Sequence, residues 1–361
     1  MNIAIEARAI TATSGGIKSY AQNIIAELQK NHELTLDIIT GARDSATPLR
    51  SELLVPYWLS GPVAKHIRAT NPDIVHFTKA AIPRKKYAPT VVTIYDVIPL
   101  LLPETQSFLR KKYWPKTLQY AATHADSIIT ISQQSKQDIS RLLHVSESKI
   151  TVTTLAVDTE HFKPSTTQLA PSTPYILFVG TWDERKNITT LIQAFELIAD
   201  KIPHMLIIAG KPANKQDTSQ AYAQASAYAD RIKFRENVPY NDLPALYSNA
   251  DIFVWPSTYE GWGFPPQEAM ACGTPVIVSN GGSLPEVVGD AGIVVPFSRD
   301  ILQSRLHDQN FTENLAKQMA ELLNDEDKKN MLTQKGLAQA TKTTWKDVAE
   351  KTVAVYTSLT V

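Results

Sequence analysis

Short apolar runs alternate along the chain with longer stretches in which apolar positions recur every three or four residues. In the first half the runs Asn2–Glu6, Leu34–Ile39, Asp73–Phe77, Thr90–Tyr95, Ser127–Ile131 and Ile150–Thr153 predict strands. In the second half Tyr175–Gly180, His204–Gly210, Ile252–Pro256 and Pro275–Ser279 predict buried strands. The helical period marks Ile17–Lys30, Ser132–His144, Ile188–Asp200, Asp242–Asn249 and Pro265–Ala271. A brief apolar run bounded by turn residues suits a strand buried on both faces, whereas a period near 3.6 suits a helix with one buried stripe. Strand, helix, strand in repetition predicts an α/β protein of parallel sheets with crossover helices. The last segment, Trp345–Val361, carries Trp345, Val348, Val353 and Tyr356 on or near one stripe, and either caps the second half or crosses back to the first.

A length of 361 residues predicts two domains. The Pro-, Ser- and Thr-rich run Lys163–Pro174 reads as the linker between them, giving domains at 1–165 and 166–344. Charge divides at the same place: 19 Lys and Arg face 14 Asp and Glu over residues 1–165, and 17 face 22 over the remainder. The balance over the whole chain is zero, which argues against a nucleic-acid binder, whose affinity rests on neutralising phosphates. A single cysteine, Cys272, excludes an intrachain disulfide framework and zinc-finger spacing, and fits a reducing compartment. The opening MNIAIEARAI lacks the basic and apolar regions of a signal peptide, and no apolar stretch approaches the ~20 residues that span a bilayer. The expected location is the cytoplasm. In doubly wound sheets ligands sit beyond the carboxyl ends of the strands, so a cleft between two such domains is the expected site.

The strongest local signal runs from Pro256 to Pro275. Glu260 follows a predicted strand in a turn that holds Gly261 and Gly263, and Glu268 lies eight residues later, inside a helix that Pro265 or Pro266 can open. Glycines let the backbone approach a ligand and leave amides exposed. A carboxylate beside free N–H donors suits a polyhydroxylated ligand, whose hydroxyls both donate and accept. The alternative is a favourable charge in the first turn of a helix.

This segment resembles the E-x7-E signature of retaining glycosyltransferase family 4, whose members have the GT-B fold of two facing Rossmann-like domains with an interdomain cleft. Gly180-Thr-Trp-Asp-Glu-Arg185-Lys186-Asn187 is similar to the family's R-K-N loop, Ser14-Gly15-Gly16-Ile17-Lys18-Ser19-Tyr20 to its N-terminal glycine loop, and Asn280 to Gly292 to a further family segment. The resemblance covers essentially the whole chain. It implies transfer of a sugar from a nucleotide diphosphate sugar, bound as a substrate with no separate cofactor, to a hydroxyl of a glycan or lipid-linked saccharide.

By the same resemblance, Arg185 and Lys186 stabilise the leaving diphosphate, with Arg able to fork onto phosphate oxygens. Glu268 holds the ribose hydroxyls, and Glu260 lies near the donor sugar with the amides of Trp262, Gly263 and Phe264. Gly15 and Gly16, at a helix start, face the donor phosphate and sugar. Backbone groups near Val238 read the base. No Asp-x-Asp motif stands in a matching place, so metal-independent catalysis is expected, and the absence of G-x-G-x-x-G disfavours a dinucleotide cofactor.

Thr93 to Pro99 resembles a family segment that commonly reads His-Asp, but Tyr95 stands at the histidine and a phenol is no base near neutral pH. Ala156 replaces a common glycine in Leu155-Ala156-Val157-Asp158. Similarity of Tyr95 to Leu102 to mannosyltransferase members points to GDP-mannose, with UDP-glucose or UDP-N-acetylglucosamine as alternatives. Trp345 to Tyr356 resembles the family's final helix, which crosses back to the N-terminal domain. Two rivals are a non-catalytic sugar-nucleotide-binding protein and a GT-B-fold sugar-nucleotide isomerase. Of the remaining candidates, His124 reads as structural, His76 as either structural or cleft-facing, and Cys272 as packing. Arg84-Lys85-Lys86 and Arg110-Lys111-Lys112-Tyr113-Trp114-Pro115-Lys116 read as a solvated face or as peripheral contact with an anionic membrane.

Overall fold

The computed structural model describes residues 1–11, 15–40, 55–105, 108–168, 173–213, 218–297 and 308–360, in two compact units. The first unit joins Met1–Leu155 to Thr343–Val361, and the second is Ala156–Lys342. The division falls before the predicted linker at Lys163–Pro174, of which 169–172 lie outside the described residues. Val157 and Phe162, which precede that run, are already buried in the second unit's core, so the chain has changed units before the Pro-rich stretch begins.

In the first unit β1 (Asn2–Glu6), β2 (Thr35–Ile39), β3 (Ile74–Phe77), β4 (Thr90–Thr93), β5 (Ser127–Thr130) and β6 (Ile150–Val152) form one sheet in the order β2-β1-β3-β4-β5-β6. Every pairing is parallel. β3 and β4 are buried along their whole length, which is why neither alternates apolar with charged positions. The helix Gly16–Leu28 follows β1, and Gln133–Leu143 is capped by Ser132, whose hydroxyl accepts the Ser135 amide at 2.9 Å. The last helix, Trp345–Thr357, opens with a capping box between Thr344 and Asp347 and packs on Gly16–Leu28 within this unit. It buries Trp345, Val348, Val355 and Tyr356. Val361 lies outside the described residues.

The second unit contains β7 (Tyr175–Trp182), β8 (Met205–Pro212), β9 (Ile232–Glu236), β10 (Ile252–Trp255), β11 (Val276–Ser279) and β12 (Gly292–Val295). These strands lie in the order β12-β11-β10-β7-β8-β9, all parallel. The chain adds β8 and β9 on one side of β7, then returns to add β10, β11 and β12 on the other. That reversal between β7 and β10 is the position at which doubly wound sheets open a crevice at their strand ends. The core of this unit centres on Ile176–Phe178, Leu206–Ile208 and Ile252–Val254, all fully buried, with Phe178 stacked on Trp255 at 4.8 Å. Among the described residues no helix is long and apolar enough to cross a membrane.

Candidate active site

Both loops that leave the β7/β10 pair carry predicted residues, and the backbone ties these loops together. After β7, Asp183 caps the turn Glu184–Lys186 by accepting the Lys186 amide at 3.2 Å. Asn187 takes a left-handed φ of 57° and starts the helix Ile188–Glu196. Its Nδ2 donates to the carbonyl of Pro256, just past β10, at 3.3 Å. The Arg185 carbonyl accepts the Thr258 amide at 2.8 Å and the Ser257 hydroxyl at 3.1 Å.

The side chains of Arg185 and Lys186 are thereby aimed at Glu260. Arg185 Nη1 lies 2.6 Å from Oε2 and Lys186 Nζ 2.6 Å from Oε1. Arg185 Nη1 also donates to the Tyr259 carbonyl at 2.7 Å, and the Lys186 ammonium sits 4.4 Å from the Trp255 ring centroid. Burial alone would raise the Glu260 carboxyl, but Arg185, then Lys186, and hydrogen bonds from Lys186 and Ser257 outweigh it and hold it at about 2. Burial and the neighbouring Arg185 charge push the Lys186 ammonium down, and Glu260 partly offsets them. The two cations, expected to wait for phosphate, are engaged by Glu260 in this structure. Two positive groups meet the Glu260 carboxylate here, and the charge of half-buried Asp183 also acts on Lys186.

A segment 20 residues further on shapes the Glu260 turn. Gly282, at φ +64°, lies so close that a Cβ there would stand 2.2 Å from the Glu260 carbonyl oxygen. That same oxygen accepts the Ser283 amide at 3.0 Å and the Ser283 hydroxyl at 3.1 Å. Sequence reasoning matched Asn280–Gly292 to a family pattern and gave its glycine and serine no task. Their task is to hold this turn, and no local periodicity reveals a contact across so many residues.

The helix Phe264–Ala271 starts at Gly263 with Pro265 and Pro266 in its first turn and no side-chain cap. Among the described residues nothing accepts a hydrogen bond from the amides of Trp262, Gly263 or Phe264. Trp262 Nε1 donates to Gln267 Oε1 at 3.1 Å. One turn in, half-buried Glu268 accepts the Tyr247 hydroxyl at 2.8 Å. Burial pushes its carboxyl up to about 7, with the Tyr247 bond opposing. Tyr247 is a partner that sequence reasoning missed. Val238, half-buried, follows β9 and packs on the second core.

The first unit carries the other predicted residues. Gly15 opens the helix Gly16–Leu28 at φ 116°, and no described residue comes within 4 Å of where a Cβ would stand, while Ser14 lies outside the described residues. The Tyr95 hydroxyl donates to the Thr78 carbonyl at 2.8 Å, and the ring meets Tyr20 edge-on at 5.3 Å. Burial, then the Tyr20 and Glu6 charges, hold this phenol well above its ordinary range. The Tyr95 hydroxyl thus gives its proton to the backbone, and its oxygen keeps its capacity to accept. His76 is fully buried between the Tyr356 hydroxyl at 2.7 Å and the Thr93 hydroxyl at 2.8 Å. Burial lowers it to about 3, which makes it a neutral clasp for the last helix. His124 is exposed and stacked on Tyr120 at 4.0 Å, and Cys272 is buried.

Family models match over most of the chain. Residues 160–339 match glycosyl transferases group 1 and residues 14–161 match glycosyltransferase family 4. The O-antigen chain mannosyltransferase B of Escherichia coli is 33% identical over 276 residues, covering 74% of this chain and 69% of that protein. The O-antigen chain mannosyltransferase RfbU of Salmonella typhimurium is 30% identical, covering 66% and 64%. Among solved structures, the sucrose-phosphate synthase of Thermosynechococcus elongatus superposes with a TM-score of 0.81 over 99% of this chain and 98% of its own, at 20% identity. At that identity the likeness shows the fold, GT-B.

Proposed function

The chain belongs to the glycosyltransferases of group 1 and family 4, and from that premise we propose that it transfers mannose from GDP-mannose to a hydroxyl of a glycan or lipid-linked saccharide, with retention and without a metal. The observation that carries this reading is the Arg185–Lys186–Glu260 cluster, placed at the sheet reversal beside a helix start with unpaired amides. Mannose as the sugar is supported by the names of the two bacterial relatives, both mannosyltransferases.

In such a transfer the bond from the anomeric carbon to the diphosphate oxygen breaks as negative charge gathers on the diphosphate. Arg185, partly buried, and Lys186, buried, meet that charge where their attraction is less screened than in bulk water. The amides of Trp262, Gly263 and Phe264 offer neutral donors beside them, and Glu268 accepts from ribose hydroxyls. Glu260 holds the two cations in place. With each oxygen against a cation and a carboxyl at about 2, it is a poor nucleophile, which supports a same-face path. On that path the leaving phosphate oxygen takes the proton of the acceptor hydroxyl as the new bond forms. Glu260→Gln then retains partial activity, and a glycosyl adduct trapped on Glu260 overturns the path.

The exposed lysines 111, 112 and 116, with Leu109 49% exposed, lie on the helix Phe108–His124 and support contact with anionic lipid at the inner face of a membrane. Co-sedimentation with anionic vesicles at low salt tests that contact. For the reaction, a nucleotide-sugar thermal-shift screen followed by diphosphate release is decisive. GDP-mannose should stabilise the fold and release GDP slowly without acceptor, in the presence of EDTA. A shift without release, with or without acceptors, means a binding protein instead.

A further inference from the structure

Two stacked aromatic rings, one of them within reach of the Glu268 charge, have no task in the transfer described above. His161 follows a turn built on Asp158, whose Oδ1 accepts the amides of Glu160 at 3.1 Å and His161 at 3.3 Å. Tyr240 lies four residues past β9, two beyond Val238. The rings are parallel to within 4° at a centroid distance of 3.9 Å, and His161 Nε2 meets the Tyr240 carbonyl oxygen at 3.1 Å. Phe162, buried beneath them, sets its ring across His161 at 4.7 Å, Tyr240 at 5.6 Å and Tyr247 at 6.1 Å. Tyr247 is the residue that gives its hydroxyl to Glu268. One aromatic chain thus runs from the Glu268 carboxylate to the Tyr240 ring.

Tyr240 is held on one face by His161 and on its edge by Phe162, yet it remains 56% exposed. The exposed part is therefore the face opposite His161. Burial of its inner edge, then the Glu268 and Asp158 charges, raise the phenol to about 12, so the ring is neutral throughout the working range. A large, flat, ordered apolar face left in water is the form of a stacking platform, because its ordering cost is already met before a ligand arrives.

We propose that the free face of Tyr240 stacks against the nucleobase of the donor, making His161–Tyr240–base a three-layer stack and Tyr240 a determinant of which nucleotide is accepted. This rests on the nucleotide-sugar reading and deepens it. If Glu268 holds the ribose, the base hangs one bond from that ribose and meets the neighbouring ring. The transferred sugar lies beyond the diphosphate, toward Glu260. A two-ring purine covers more of the phenol face than a pyrimidine, so the platform favours a purine nucleotide. Base reading by backbone groups near Val238 is compatible with it, since edge contacts and face stacking use different parts of the base.

The test is calorimetric binding of GDP, UDP and inorganic pyrophosphate to the full chain and to Tyr240→Ala, Tyr240→Leu and Tyr240→Phe. Stacking of a base on an aromatic ring predicts that Tyr240→Ala and Tyr240→Leu weaken GDP by about 5- to 150-fold. UDP should weaken less, pyrophosphate should not change, and Tyr240→Phe should restore GDP affinity to within about twofold. Thermal unfolding checks the fold of each variant, and Tyr240→Leu keeps apolar bulk if the alanine variant unfolds. Unchanged GDP affinity in both truncations overturns the platform, as does an equal loss for GDP and pyrophosphate, the mark of a merely structural ring. If the unaltered chain binds no nucleoside diphosphate, the transferase reading itself falls and the platform falls with it.

Discussion

Replacing Glu260 by glutamine removes the negative group that both Arg185 and Lys186 contact and keeps its shape. Glu260 is 8% exposed, so solvent screens the three charges weakly. Its carboxyl stands at about 2 against an ordinary 4.5. That difference corresponds to about 3 kcal/mol of preference for the ionised form in the folded state. Removing one partner of a buried ion pair costs about 3–5 kcal/mol by comparison with other proteins, the same order. The sign follows from the depressed value. The contribution is full above the unfolded carboxyl's titration near 4.5 and drains away as pH falls toward 2. Guanidinium unfolding of the chain and of Glu260→Gln, at pH 7 and at pH 3, should therefore show a gap of about 3 kcal/mol that narrows to about 1 kcal/mol. Hydrogen exchange of peptides covering β7 and β10 identifies which transition belongs to the second unit. A gap below about 0.5 kcal/mol at pH 7, the level of an ordinary surface substitution, would refute the buried clamp. So would a variant whose acid sensitivity matches that of the unaltered chain.

Glu268 runs the other way. Its carboxyl is raised to about 7, so the stability it contributes is complete below about 4.5 and is lost as pH rises through 7. Glu268→Gln should therefore be more stable at pH 8 by about 1–3 kcal/mol, while nucleotide affinity, which gains from an ionised acceptor for the ribose hydroxyls, should rise through pH 7 in the unaltered chain and not in the variant. Gly282→Ala sets a Cβ against the Glu260 carbonyl in a left-handed conformation, and a loss of about 1–3 kcal/mol with a fall in diphosphate release is expected. Matching thermal unfolding and turnover for that variant would show that the turn tolerates displacement.

Most strands were legible because a central parallel strand is covered on both faces and so reads as an unbroken apolar run. The two that sequence reasoning missed, β9 and β12, are the two edges of the second sheet. β9 reads Ile-Lys-Phe-Arg-Glu with only Ile232 buried, and β12 opens on half-exposed positions, so neither carries the central pattern. The candidate site divides in the same manner. Glu260, Glu268, Arg185 and Lys186 stood out because their spacing follows strand ends and a proline-opened helix, which are local facts. Their partners are set by topology. Lys186 and Glu260 lie 74 residues apart in sequence and become neighbours only because β10 returns beside β7. Tyr95 shows the same. Its place in a family segment gave no sign that a carbonyl 17 residues earlier takes its proton. Which groups can donate, accept or titrate is thus decided by contacts between strand ends. The same contacts put two cations on one carboxylate and lower the basicity of Glu260.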